Sequence, residues 1–156
     1  MSDNVTHVYE VYIRTTPEKL WEAITDTRFT RQYFFGATVD SDWRPGAALN
    51  YALPDGRTPF FATIEAIDPP RRLVHSFRSN PEMDGSQDPP SRVTYEIEPL
   101  GPTCLLRLTH EHFAGESVVT KGTHEGWQII FSGLKTLLET GEPLKIDWPD
   151  EIVATG

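Results

Sequence analysis

The sequence has 156 residues, a hydrophobic fraction of 38% and a formal net charge of −9, from 14 basic and 23 acidic side chains. An acidic chain repels phosphate backbones, so no nucleic-acid partner is expected. It contains neither a signal-peptide pattern nor an apolar run of about 18 residues, so we expect a cytoplasmic protein without membrane insertion. The length predicts one domain over 1–156, with a core at about 5–144 and a tail at 145–156.

Alternation of apolar and polar residues predicts six strands. This period of two is typical of a sheet with one buried face, and short turns such as "PDGR" favour antiparallel neighbours. The segments are "VTHVYEVYI" (5–13), "AALNYAL" (47–53), "FFATIEAI" (60–67), "LVHSFRS" (73–79), "RVTYEIE" (92–98) and "CLLRLTHEHF" (104–113). The polar segment at 80–91, "NPEMDGSQDPPS", is expected to be a mobile loop beside one end of the sheet.

Two short helices are predicted after the first strand. In "TTPEKLWEAITD", at 15–26, Thr15 and Glu18 have the spacing of a capping box at the start of a helix. A second helix is expected through "RFTRQYFF", at 28–35, with its end at Gly36. Both carry bulky apolar side chains that can cover part of a sheet.

The strongest single pattern is a long helix near the end of the chain, in "HEGWQIIFSGLKTLLETGE" at 124–142. Its apolar stripe, as an amphipathic helix on a core requires, consists of Trp127, Ile130, Phe131, Leu134, Leu137 and Leu138. The helix is expected to begin between Ser117 and His124 and to end at Gly141. Gly126 lacks a side chain, so either a neighbouring strand or a ligand can approach the helix there, and packing is favoured.

Together these elements predict an α+β fold in which a curved antiparallel sheet of six or seven strands surrounds the C-terminal helix. Such a sheet is about 25 to 29 Å wide, whereas a helix with its side chains is only about 10 to 12 Å wide. The helix cannot cover the sheet, so an apolar cavity that binds a small hydrophobic molecule is expected between them. The predicted lining residues are Tyr33, Phe34, Tyr51, Phe77, Tyr95, His110, Trp127 and Phe131.

The candidates for catalysis or metal binding are five histidines: His7, His75, His110, His112 and His124. His110 and His112 share a strand face with Leu106 and Leu108, which predicts imidazoles near the cavity mouth. Zinc needs three or four ligands, and no cysteine pair or His-x-x-x-His is present, so we expect neither metal nor cofactor. His110 with a cavity tyrosine is the weak candidate for acid–base chemistry, so a cyclase- or hydrolase-like enzyme is the alternative to a binding protein.

Three motifs, "TTPEKLWEAITD", the strand ending "LTHEHF" and "HEGWQIIFSGLKTLLE", resemble bacterial proteins related to the C-terminal domain of the activator of Hsp90 ATPase, within the SRPBCC or START-like superfamily. The resemblance covers about 5–144. It implies a helix-grip fold with an internal hydrophobic cavity, in a superfamily of lipid carriers, hormone receptors, cyclases and co-chaperone domains. It also implies a third hypothesis, a domain that stimulates an Hsp90-type ATPase, although the eukaryotic activators have a further N-terminal domain. Both a monomer and a homodimer are compatible with these patterns.

Overall fold

The computed structural model describes residues 4–147, which form one open, curved antiparallel sheet around a long helix. In chain order the elements are β1 (Val5–Ile13), α1 (Pro17–Thr25), α2 (Thr27–Tyr33), β2 (Thr38–Ser41), β3 (Ala48–Ala52), β4 (Phe60–Asp68), β5 (Arg72–Ser79), α3 (Pro81–Asp84), β6 (Ser91–Leu100), β7 (Thr103–His112) and α4 (Val118–Thr140). The strand order is β1-β7-β6-β5-β4-β3-β2. The predicted α+β helix-grip fold is confirmed.

The two edges of the sheet are β1 and β2, although these strands are neighbours in sequence. β1 pairs with β7, so that Val5 lies opposite His112 and Ile13 opposite Cys104. α1 and α2 carry the chain from β1 to the opposite edge, and the strands from β2 onward form a meander. In β7 the predicted inward positions are buried, including His110 and His112. The alternation of the sequence therefore assigned the inner face of β7 correctly.

The strand β2 and the segment 80–91 differ from the predicted elements. β2 is a seventh strand, and its four residues are too few for a period of two to be recognised. The segment 80–91, expected to be a loop throughout, includes the single-turn helix α3, and its last residue Ser91 already belongs to β6. The carboxylate of Asp88 accepts a hydrogen bond of 2.6 Å from the Ser117 hydroxyl, which ties this segment to the start of α4. Its mobility stays a prediction.

The N-terminus of α1 is capped by Thr16, so the predicted capping role of Thr15 is wrong. Thr16 has an extended backbone, and its Oγ1 accepts a hydrogen bond of 3.2 Å from the backbone N–H of Lys19. Pro17 is the first helical residue, a position where its missing N–H costs nothing. The residue directly before the proline is therefore the cap.

α2 ends at Tyr33 and does not reach Gly36 as expected. The reason is the backbone that follows, because Phe35 has φ of 52° and Gly36 has φ of 77°. Two residues with positive φ cannot continue a right-handed helix. The turn that they form directs the Phe35 side chain toward α4, with consequences for the site described below.

α4 is a long helix with a defined start and end. The hydroxyl of Ser117 accepts hydrogen bonds from the backbone N–H groups of Val119 and Thr120. In return, Oγ1 of Thr120 accepts a hydrogen bond of 2.8 Å from the Ser117 N–H, which completes a capping box. At the other end, Gly141 has φ of 81° and donates its N–H to the carbonyl of Leu137. Both ends lie where the sequence predicted them.

The position of α4 over the sheet is asymmetric. Its backbone approaches β1, α1 and α2 most closely. At Gly133 a Cβ atom would lie 3.2 Å from the Cβ of Tyr33, so this glycine allows close contact between α4 and the end of α2. Over the rest of the sheet the gap is wider and is filled mainly by aromatic side chains. In the part of the chain at 4–147, no helix is both long and apolar enough to cross a membrane.

We predict that Ser117→Ala lowers the free energy of unfolding by about 1 kcal/mol, because two N–H groups at the start of α4 lose their acceptor. Chemical denaturation with circular dichroism detection measures the change. Ser132→Ala is the matched control, since Ser132 is an exposed residue within the same helix. Equal stability of the Ser117→Ala protein and the control would contradict the capping account.

Candidate functional site

An open cleft of about 320 Å³ lies between the first half of α4 and the adjacent ends of β4 and β5. The α4 side contributes residues from Val118 to Ile130. The sheet side contributes Phe60 from the start of β4 and Phe77 and Ser79 from the end of β5. The turn after α2 and helix α3 complete the walls. The cleft therefore occupies the end of the sheet that α4 leaves uncovered.

Aromatic rings form the largest continuous surface of the cleft. Phe60 and Phe77 are stacked with their ring centroids 4.3 Å apart, and Phe34 lies 6.5 Å from Phe60. Trp127 of α4 meets Phe34 almost at a right angle, at 6.0 Å. We call these four residues the aromatic wall. Such a surface favours contact with an apolar or aromatic molecule.

Few polar side chains interrupt this surface. They are Ser79, Asp84 and Thr123, and the hydroxyl of Ser79 donates a hydrogen bond to the Asp84 carboxylate. A second oxygen of Asp84 accepts the backbone N–H of Ser86 at 2.8 Å. These bonds hold Ser79 and Asp84 together at the α3 side of the cleft, whereas Thr123 lies on α4 and donates to the Thr120 carbonyl at 3.2 Å.

Phe35 stands at the rim of the cleft, with 51% of its surface exposed. Its positive φ is uncommon for a bulky residue, and local strain of this kind often occurs near functional sites. At Gly126 a Cβ atom would lie 3.8 Å from Cε2 of Phe35, which is an ordinary contact. The neighbour of Gly126 is thus the Phe35 ring, and not the strand that the packing interpretation expected.

Three of the eight predicted lining residues, Phe34, Phe77 and Trp127, line this cleft. Tyr33 lines a separate groove and donates its hydroxyl to the carbonyl of Ala23 at 2.8 Å. The other four are buried in the core and do not line the cleft: Tyr51, Tyr95, His110 and Phe131. The sequence patterns predicted a cavity along the whole helix, whereas the cleft lies beside the first half of α4.

Several lining residues were missing from the predicted set, among them Phe35, Phe60, Val118 and Gly122. Phe60 was on a predicted inner face, so its position was available from the alternation. The lining residues in the first turn of α4 could not be predicted, because the apolar periodicity of this helix becomes clear only from Trp127 onward. Val118 is 60% exposed, whereas its neighbour Val119 is buried, and both line the cleft.

Behind the aromatic wall lies a layer of buried polar side chains. Tyr51 and Tyr95 are hydrogen-bonded to each other through their side chains, and burial raises the pKa of both hydroxyls above the ordinary value. His75 is 1% exposed, lies with its ring 6.0 Å from Tyr95, and donates from Nδ1 to the carbonyl of Ser76 at 2.8 Å. Burial lowers the pKa of His75 to about 4, so its imidazole is neutral near pH 7.

His110 is fully buried, and its neighbours determine which nitrogen carries the proton. The indole N–H of Trp127, which can only donate, points at Nδ1 of His110 at 3.0 Å. Nδ1 is therefore the acceptor, and Nε2 carries the proton and donates to the Ser91 hydroxyl at 2.7 Å. Ser91 in turn donates to the carbonyl of Phe77 at 3.1 Å. Burial is the main reason that the pKa of His110 falls to about 2.

The other histidines collect beside His110 at the β1 edge. The His112 ring stacks on His110 with centroids 3.9 Å apart, and the His7 and His124 rings lie 4.8 Å apart. Burial, followed by the influence of His7, lowers the pKa of His112. The hydroxyl of Tyr9 is bonded to Nδ1 of His124 at 2.8 Å. Within 4–147, no three His, Cys, Asp or Glu side chains are placed to hold a metal ion together.

Comparisons with known proteins agree with this architecture. MLL2253 from Mesorhizobium loti is 25% identical with a TM-score of 0.71, over 86% of this chain and 96% of that chain. The Aha1 dimer from Colwellia psychrerythraea is 17% identical with a TM-score of 0.71, over 88% of this chain and 98% of that chain. PFC0360w, an Hsp90 activator from Plasmodium falciparum, is 22% identical with a TM-score of 0.70, over 90% of this chain and 99% of that chain.

No curated protein matches the sequence. Residues 14–139, by contrast, match the family described as "Activator of Hsp90 ATPase homolog 1-like protein". The matched range extends from the end of β1 to the last turn of α4 and includes both sides of the cleft. The protein therefore belongs to the Activator of Hsp90 ATPase homolog 1-like family.

Proposed function

We propose that this protein binds a small apolar molecule in the cleft between α4 and the ends of β4 and β5. The observation that carries the proposal is the aromatic wall together with the exposed apolar side chains beside it, Phe35 and Val118. Apolar surface in contact with water is unfavourable, and an apolar occupant would remove it from water. A volume of about 320 Å³ is at the lower end of the range for small-molecule sites, so the expected occupant is a compact molecule.

In this proposal, some of the predicted lining residues contact the molecule directly, and others support the residues that do. Phe34, Phe77 and Trp127 would contact the molecule directly, together with Phe35 and Phe60. Four of the others support the wall through ring contacts: Tyr33 and Tyr51 on Phe34, Tyr95 on Trp127 and His110 on Phe77. Phe131 is buried on α4, and its ring lies 6.3 Å from the Tyr9 ring.

We propose that the protein is located in the cytoplasm and that residues 1–156 form one domain.

The enzymatic alternative has less support, because neither nitrogen of His110 has a free lone pair. A general base must offer a free lone pair to the group that it deprotonates. In His110 the lone pair on Nδ1 already accepts the Trp127 N–H, and Nε2 is a donor to Ser91. His110 therefore does not activate Ser91 as in a serine hydrolase, where the histidine accepts the serine proton.

A second candidate function is action on an Hsp90-type chaperone, and family membership is the observation that favours it. The Plasmodium falciparum relative is described as an Hsp90 activator, and the Colwellia psychrerythraea relative as a dimer. An ATPase assay of purified Hsp90 with this protein tests the idea. A severalfold increase in turnover would support it, and unchanged turnover at saturating protein would contradict it.

Size-exclusion chromatography with light scattering distinguishes the monomer from the homodimer.

We predict that Gly122→Phe weakens binding of an apolar dye such as Nile red at least about tenfold, because the new ring would occupy the cleft. Gly122→Ala is the matched control, since its Cβ meets no atom within 4 Å. The control should bind like the natural protein and gain up to about 1 kcal/mol of stability, because alanine favours a helix more than glycine. Fluorescence titration measures both affinities. Equal dye affinity of the two variants would contradict the location of the site.

We also predict that the free energy of unfolding falls as the pH is lowered below about 6.5. The unfolded chain takes up protons there, whereas buried His75 and His110 stay neutral because their pKa values are about 4 and about 2. Between its unfolded and folded pKa values, each group lowers the free energy of unfolding by about 1.4 kcal/mol for each unit that the pH falls. This loss extends from about pH 6.5 to about 4 for His75 and from about pH 6.5 to about 2 for His110. Urea unfolding between pH 7 and 5 measures this slope.

His110→Gln should reduce that slope, even if the variant is less stable overall, because one of the buried imidazoles with a lowered pKa is removed. Glutamine can accept from Trp127 and donate to Ser91, so the hydrogen bonds of the site have replacements. A slope that is the same in the variant and the natural protein would contradict the assignment of His110 as a neutral side chain.

A further inference from the structure

His75 has a hydrogen-bond acceptor that no protein group in 4–147 satisfies. Its Nδ1 must carry the proton, because the Ser76 carbonyl beside it can only accept. Nε2 therefore has the free lone pair, and this atom is buried without a partner. Buried polar atoms without partners are uncommon in folded proteins and destabilise them. His75 thus differs from His110, whose two nitrogens are both bonded.

The position of His75 connects this acceptor to the cleft. Phe60 belongs to the aromatic wall, and its ring also lies nearly parallel to the His75 imidazole, at 12° and 6.4 Å. Within the described residues, Phe60 is the ring of the wall that packs beside His75. A change of the Phe60 rotamer would therefore extend the cleft toward Nε2. Phe60 is 4% exposed and stacked on Phe77 at 4.3 Å, so the bound molecule has to replace the contacts that the displaced ring gives up.

The surroundings of Nε2 restrict the chemistry of a partner. The partner has to donate a hydrogen bond, because a neutral imidazole nitrogen without a proton only accepts. It should be uncharged, since His75 lies among aromatic rings at 1% exposure, where a charged group would lose its hydration. The Tyr95 ring lies 6.0 Å from His75, and its hydroxyl is hydrogen-bonded to Tyr51. A hydroxyl group on the bound molecule meets both requirements.

We propose that the molecule bound in the cleft is aromatic or polycyclic and carries a hydroxyl group, which displaces the Phe60 ring and donates a hydrogen bond to Nε2 of His75. This inference rests on the proposed function, because it concerns the same cleft. The rings of the molecule pack against the other three residues of the aromatic wall, Phe34, Phe77 and Trp127, and the hydroxyl satisfies the acceptor that the protein leaves open. The same arrangement rejects molecules of equal shape that lack a donor.

The test compares three probes of similar shape, 2-naphthol, 2-methoxynaphthalene and naphthalene, by isothermal titration calorimetry. For the natural protein we expect 2-naphthol to bind about tenfold more tightly than 2-methoxynaphthalene, because it satisfies a buried acceptor. In His75→Phe this ratio should fall to about one, while the naphthalene affinity is retained. His124→Phe is the matched control, since His124 lies on the exposed side of α4, and it should keep the tenfold ratio.

A second measurement needs no variant and applies even if His75→Phe does not fold. In protein labelled with nitrogen-15 at histidine, the Nε2 resonance of His75 should shift on addition of 2-naphthol and not on addition of naphthalene. Binding of all three probes with equal affinity, and no response of Nε2, would overturn this inference and leave the proposed apolar site intact. Absence of binding by all three probes would overturn the proposed function as well.

Discussion

The structure depends on a difference in width between one helix and the sheet that it covers. A sheet of seven strands has to bury its inner face, and α4 can lie over only part of that face. α4 approaches β1 and the two short helices, so β4 and β5, in the middle of the strand order, stay farther from the helix backbone. Large aromatic side chains fill most of that space, and the cleft is what they leave.

The interior is accordingly neither a large cavity nor a solid core. Tyr51, Tyr95 and Phe131 occupy volume that an open helix-grip cavity would offer to a ligand. What stays accessible is a cleft of about 320 Å³ at the end of the sheet, with Phe35 at its rim. This geometry favours a compact ligand over a long lipid chain. The strained backbone at Phe35 positions an exposed aromatic ring beside the opening of the cleft.

Two buried histidines, His75 and His110, have defined protonation states and hydrogen bonds. Each has its proton position determined by a neighbour that can act in only one way, Trp127 for His110 and the Ser76 carbonyl for His75. Burial keeps both imidazoles neutral. They differ in one respect, since the bonds of His110 are complete and those of His75 are not. A complete set of bonds favours a structural role, and an open acceptor favours recognition of a ligand.

Much of the fold could be predicted from local patterns, because alternation and helical periodicity record which face of each element is buried. β2 was missed because four residues cannot show a period. The α1 cap was assigned to Thr15 because Thr15 and Glu18 have the spacing of a capping box, whereas the cap is Thr16. The site was harder to predict. The partners of His110 come from β6 and α4, so no spacing in the sequence reveals their directions. Likewise, Phe35 gains its role from a turn whose positive φ values do not follow from the phenylalanine itself.

The central claim is that the cleft beside the aromatic wall is a binding site for an apolar molecule. A crystal structure of the protein soaked with 2-bromonaphthalene tests it most directly, because the anomalous signal of bromine marks the position of the probe. The account predicts a bromine peak between Phe60 and the first half of α4. A bromine peak elsewhere on the protein, or the absence of a peak from the cleft at saturating probe, would contradict it.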